Sequence, residues 1–203
     1  MPRFIGRENV AKRLAALRQL PGRTTYAGGA ARIQTAQETI VVTPPFGLTH
    51  EGEYDRVELE PLLAALASDH VVAAILVSLG GYAVGVFEGE RLVASKVGTR
   101  FVKGRHRKGG SSANRFRRRR EEQARALVDE AAETAAAVLE PWRARIEFTA
   151  LGGDRDAIAQ MLERSPRLAW VAERAVPRFF PVARPRLESL RSLPYDLYAA
   201  EVE

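Results

Sequence analysis

The stretch from Lys96 to Arg120, KVGTRFVKGRHRKGGSSANRFRRRR, decides how this chain is read. No acidic residue lies between Glu90 and Glu121, while the same interval holds twelve basic side chains: Arg91, Lys96, Arg100, Lys103, Arg105, Arg107, Lys108, Arg115 and Arg117 to Arg120. Neighbouring cations repel, so such a run adds nothing to the stability of an isolated chain, and an external polyanion is the economical counterpart. Gly109-Gly110-Ser111-Ser112 sits in its middle, and a long helical pattern follows. The expectation is a glycine-tipped basic loop that enters RNA.

Outward on the N-terminal side, Leu92 to Val97 and Tyr82 to Phe87 read as two strands joined by Glu88-Gly89-Glu90-Arg91, a hairpin with a glycine-containing turn. The β-branched run Val71 to Leu79 reads as a buried strand. From Gly98 to Ser112 no periodicity is visible, and loops of that length in compact domains are commonly functional or disordered. Folded back on itself, the segment reaches about 23 Å at ~3.3 Å per residue.

On the C-terminal side the spacing predicts a helix from Asn114 to Glu140, with Ser111 or Ser112 as its cap and Pro141 as its stop. Its apolar stripe runs through Phe116, Ala124, Leu127, Ala131, Ala135 and Val138, with Arg120 in the one gap. Arg117–Glu121, Arg118–Glu122 and Arg125–Asp129 are spaced as i,i+4 ion pairs. Four consecutive arginines point all around a helix, so some must meet an outside anion, and phosphate contact is the expectation. Ile146 to Leu151 reads as a strand, and Gly152-Gly153-Asp154 as the lead into a helix through Ile158 and Leu162. A short helix near Leu168–Arg174, a last strand at Arg178–Val182 and a terminal helix at Arg184–Leu193 complete the pattern, with a frayed end.

Before the hairpin the pattern is thinner. Val10, Leu14, Leu17 and Leu20 mark a short amphipathic helix closed by Pro21-Gly22, and 22–37 reads as loose. Thr39 to Thr43 reads as a strand, and an acidic stretch from Glu51 to Glu60 leads into a helix through Leu62, Leu63 and Leu66. The expected architecture is α/β (α+β). A mixed sheet of about five to six strands is flanked by helices, and the basic loop leads into the long helix. One domain is expected over 1–203.

Composition narrows the function. The 203 residues carry a formal charge of +6, and of 31 basic residues four are lysine, leaving 27 arginines, which suit phosphate forks and base stacking. With no cysteine there is no disulfide or thiolate chemistry, and His50, His70 and His106 show no metal-ligand spacing. No metal and no cofactor is expected. No apolar run approaches the ~20 residues of a membrane span, so a cytoplasmic monomer without membrane contact is expected. No Walker glycine loop and no Gly-x-Ser-x-Gly is present. Asp154 and Asp156 fit a helix N-terminus better than an acid–base pair, and His106 fits an RNA contact better than a general base.

The stretch Gly109 to Arg120 resembles the signature of the catalytic middle domain of eukaryotic and archaeal class-I translation release factors, Gly-Gly-Gln-Ser-Ala-x-Arg-Phe-x-Arg-x-Arg. Gly109, Gly110, Ser112, Ala113, Arg115, Phe116, Arg118 and Arg120 fall on that pattern. It is similar more closely to the release-factor-like peptidyl-tRNA hydrolases, including an actinobacterial branch, related to the eukaryotic ribosome-quality-control factor. Ser111 stands where the release-factor glutamine aligns. The resemblance implies a release-factor middle-domain-like fold, with 71–193 as its core, and codon-independent peptidyl-tRNA hydrolysis on stalled ribosomes or large subunits. The partners it implies are peptidyl-tRNA, rRNA and the peptidyl-transferase centre. Gly109, Gly110, Ser111 and Ser112 would form the catalytic tip. Arg100, Lys103, Arg105, His106, Arg107, Lys108, Asn114, Arg115, Arg117, Arg118, Arg119 and Arg120 would contact nucleic acid. The alternatives are a nuclease acting on the tRNA acceptor end and a non-catalytic ribosome- or RNA-binding module, the latter favoured by the absent glutamine.

Overall fold

The computed structural model describes residues 3–99 and 111–203; of 111–114 and 116 it describes the backbone alone. In chain order the elements are β1 (Arg3–Ile5), α1 (Arg7–Leu17), β2 (Gly22–Ala27), β3 (Ala30–Thr35), β4 (Thr39–Thr43), β5 (Gly52–Tyr54), α2 (Glu60–Ala67), β6 (Val71–Ser78), β7 (Gly81–Glu88), β8 (Arg91–Thr99), α3 (Ser111–Leu139), β9 (Phe148–Gly153), α4 (Arg155–Arg164), α5 (Ala169–Glu173), α6 (Leu187–Leu197) and β10 (Ala200–Val202). The α/β class holds. The described strands number ten and form two sheets, where the sequence suggested one sheet of five to six.

Contacts divide the chain into two compact units. One comprises 1–69 with 193–203, the other 70–192. No change of composition marks either crossing, which is why the sequence reads as one domain.

The first unit is built on an antiparallel sheet of order β1-β10-β4-β3-β2-β5. Val10, Leu14 and Leu17 of α1 and Leu62 and Leu66 of α2 are buried in its core with Tyr26, Ile33, Ile40 and Val42. The region 22–37, expected to be loose, is the β2–β3 hairpin. Gly28 and Gly29, with φ of 60° and 79°, make its two-residue turn, a conformation that glycine adopts without strain. Its inward positions are Thr24 and Tyr26 on one strand and Ala31 and Ile33 on the other. The end of the sequence does not fray: Ala200 and Val202 are buried, and β10 lies between β1 and β4.

The second unit holds a mixed sheet of order β8-β7-β6-β9, in which only the β6–β9 pair is parallel. β6 is buried at seven of its eight positions, as its continuous apolar run requires. Tyr82, Val84 and Val86 of β7 share a core with Leu127, Val128, Ala131 and Ala135 of α3 and with Ile158 and Met161 of α4. Gly85 lies out of phase with those residues, and a Cβ there would stand 3.3 Å from Leu190 of α6 and 2.8 Å from Leu92. The strand expected at Arg178–Val182 reduces to a single bridge between Gly152 and Phe180. Pro181 interrupts any longer ladder. Gly153 N–H donates to Phe180 O at 2.8 Å, and a Cβ on Gly152 would lie 2.4 Å from that same oxygen, so a glycine is required.

Candidate nucleic-acid interface

In sequence the basic stretch runs from the end of β8 into α3. The β7–β8 hairpin turns at Gly89 (φ 59°) and runs from the Glu88–Arg91 pair to Gly81–Thr99. β8 is an edge strand, and Lys96 and Val97 on it are exposed. After Thr99 come residues 100–110, outside the described residues, and α3 begins at Ser111. Gly109, Gly110, Arg100, Lys103, Arg105, His106, Arg107 and Lys108 therefore lie outside the described residues. Ser111, Ser112 and Asn114 are placed in the first turn of α3 by their backbone. The helix starts three residues before the expected Asn114, so neither serine precedes it as a cap.

One side chain ties the end of β8 to the packed half of α3. Tyr82 on β7 is 3% exposed, and its hydroxyl reaches Glu130 Oε1 at 3.1 Å and Thr134 Oγ1 at 3.0 Å, both on α3. A Cβ on Gly98, one residue before β8 ends, would sit 2.3 Å from the same ring, so the tyrosine lies flat against the β8 backbone. Burial pushes the Tyr82 phenol upward, and Glu130 raises it further, so it stays a protonated donor.

Along α3 the surroundings change. From Leu127 onward Leu127, Val128, Ala131, Ala132, Ala135, Ala136 and Leu139 are buried. Between 111 and 126 none of the described side chains is buried, a span of about 24 Å at ~1.5 Å per residue. Arg115, Arg117, Arg118 and Arg119 are exposed and Arg120 is half-buried. Of the three ion pairs expected on this helix, Arg117–Glu121 forms, at 3.9 Å. Asp129 instead meets Arg164 of α4 at 3.3 Å, so Arg125 does not take it. Among the described residues Arg115, Arg118, Arg119 and Arg120 form no ion pair, which leaves a cationic helix end.

Other residues take structural roles. Asp154 caps α4 through Asp156 N–H (3.0 Å) and Ala157 N–H (3.1 Å), as the sequence suggested. His70 Nδ1 lies 2.9 Å from Glu147 Oε2, and Val71 N–H donates to Glu147 Oε1. Burial raises the Glu147 carboxyl, but those two hydrogen bonds outweigh it and hold the group below its ordinary value. His50 Nε2 meets Tyr54 Oη at 2.8 Å. Among the described residues no group of three or more histidines, aspartates or glutamates is arranged to hold a metal, and no helix is long and apolar enough to cross a membrane. The sequence reading missed Arg184 and Arg186, which border Thr99; the signal available was the Arg-Pro-Arg spacing.

Residues 70–203 match the family described as the actinobacteria/chloroflexi VLRF1 release factor. The chain belongs to that family. The match begins at the residue where the second unit begins. Membership in a release-factor family puts the chain among proteins of translation. No curated protein matches the chain. Among solved structures, the archaeal translation termination factor aRF1 is 13% identical with a TM-score of 0.48, over 96% of this chain and 73% of that one. A second, described as an archaeal protein, is 14% identical with a TM-score of 0.35, over 94% and 70%.

Proposed function

We propose that this protein is a codon-independent peptidyl-tRNA hydrolase that frees nascent chains from stalled ribosomes or large subunits. The observation that carries the reading is a release-factor-family chain whose Gly109-Gly110-Ser111-Ser112 stretch leads into a long arginine-bearing helix end with no buried side chain described. Arg115 and Arg117 to Arg120 would contact rRNA phosphates, together with Arg100, Lys103, Arg105, His106, Arg107, Lys108 and Asn114. The tip would enter the peptidyl-transferase centre.

The chemistry is hydrolysis of the ester between nascent chain and tRNA. Water adds to the ester carbonyl, a tetrahedral oxyanion forms, and the tRNA 3′ oxygen leaves with a proton. A backbone N–H at the tip can stabilise that oxyanion, and such a donor survives a change of side chain, so serine at 111 is compatible with the reaction. Gly109 and Gly110 would allow close approach to the tRNA end, and the Ser111 hydroxyl would help to position water. The ribosome would supply the rest of the catalytic surroundings.

The test is addition of purified protein to stalled nascent-chain complexes. Free peptide with full-length tRNA is the expected product. A shortened tRNA 3′ end would instead identify an acceptor-end nuclease. Stable association with large subunits and peptidyl-tRNA intact over hours would identify a binding module, the reading that the missing glutamine favours.

A further inference from the structure

At the end of the four-stranded sheet where β8 finishes, a cleft of about 210 Å³ opens between two walls. The Leu79–Gly81 turn and Thr99 make one wall, and Arg184-Pro185-Arg186 the other. The second wall is fixed by its main chain. Ser78 Oγ donates to Val182 O at 2.6 Å, and Ser189 Oγ donates to Arg184 O while accepting from Arg186 N–H, each at 3.2 Å. Pro185 between the arginines is buried, and its carbonyl oxygen stands 3.6 Å from where a Cβ on Gly81 would be. Both arginines are exposed, and among the described residues neither forms an ion pair. Leu79 on the opposite wall is 51% exposed.

We infer that this cleft is a second RNA-backbone site, in which Arg184 and Arg186 grip phosphodiester groups while Leu79 lies against the sugar or base. The inference rests on the RNA partner of the proposed function, but it uses none of the residues assigned to the tip or to α3. Two guanidinium groups one residue apart on a tethered backbone repel each other, and an anion between or before them removes that repulsion. Planar forks suit phosphate oxygens, and an apolar wall suits the uncharged part of a nucleotide. The position favours RNA over a small anion, because Thr99 lies within the basic stretch that starts at Lys96.

The experiment measures binding of the full chain to a labelled single-stranded RNA over a salt series. Each phosphate contact contributes about 0.7 to the slope of log affinity against log salt on single strands, so the double variant Arg184→Gln/Arg186→Gln should lower the slope by about 1.4. Arg184→Lys/Arg186→Lys should keep the slope, and Leu79→Ser should weaken binding at every salt concentration with the slope unchanged. All these side chains are exposed, so thermal midpoints should match the parent. An unchanged slope in the glutamine variant overturns the site, as does RNA binding by the parent with no salt dependence. Peptide release from stalled complexes is assayed in parallel. Release without the slope change sinks the cleft and leaves the hydrolase reading; the slope change without release by the parent does the reverse.

Discussion

The two halves of α3 are one continuous helix in opposite surroundings. Between 127 and 139 seven side chains are buried against the sheet and α4, mostly as adjacent pairs four residues apart. Between 111 and 126 none of the described side chains is buried, and the residues are dominated by arginine. Nucleating a helix costs more than extending one, and a segment of this length is marginal alone in water. The packed half therefore supplies the nucleus, and the basic half propagates from it at little further cost. Under the proposed function one helix separates stability from RNA contact: changes behind 127 should act on folding, and changes ahead of it on function.

The largest expected effect tests the packed half. Leu127→Ala removes a side chain that is 2% exposed and should cost about 2–5 kcal/mol in a urea titration. Peptide release per folded molecule should stay at the parent level. A loss of release at full stability would break the division between the halves.

Next comes the threshold of the basic half. Gly110→Ala keeps the N–H but adds a Cβ that would strain or crowd the tip against the tRNA end, and should lower peptide release about 10²–10³-fold, as large as losing one oxyanion donor, with no change in melting temperature. Release at the parent rate with equal ribosome binding would show that the tip is not the catalyst.

Tyr82→Phe lies between the two in character. It removes the hydroxyl that joins β7 to Glu130 and Thr134, and should cost about 1–3 kcal/mol because partly buried partners lose a hydrogen bond. Since that ring also lies on Gly98, release should fall as well, more than the lost stability accounts for. A pure stability loss would mean that the hairpin root need not be held to α3.

Ser111→Ala should have the smallest effect, a few-fold drop in release, because solvent can replace a water-positioning hydroxyl. Ser111→Gln, which places the release-factor residue there, should match or exceed the parent. A collapse of activity in Ser111→Ala would move the chemistry from the backbone to the side chain.

How much of this was visible in the sequence depends on where each signal is carried. β6 could be read because an unbroken apolar run is what a strand buried on both faces needs, and the β7–β8 hairpin because Gly89 marks its turn. β2 could not, because one of its two buried positions is Thr24, whose hydroxyl accepts Glu58 N–H at 3.0 Å, so a polar residue sits where periodicity asks for an apolar one. The supposed strand at Arg178–Val182 fails for the reverse reason: Phe180 is buried as an apolar pattern asks, but Pro181 has no N–H to give a ladder, so only the Gly152–Phe180 bridge forms. The arginines of α3 were legible because local charge needs no fold to be seen. Arg184 and Arg186 were not, since only folding brings them beside Thr99, far away in sequence.

The strand β10 has a consequence for the order in which the molecule forms. Among the described strands β1 pairs with β10 alone, and β10 also pairs with β4. During synthesis Arg3–Ile5 therefore has no partner among the described strands until residues 200–202 follow. Among the described strand pairs β1–β10 has the largest sequence separation, so it carries the largest entropy cost of loop closure and forms late.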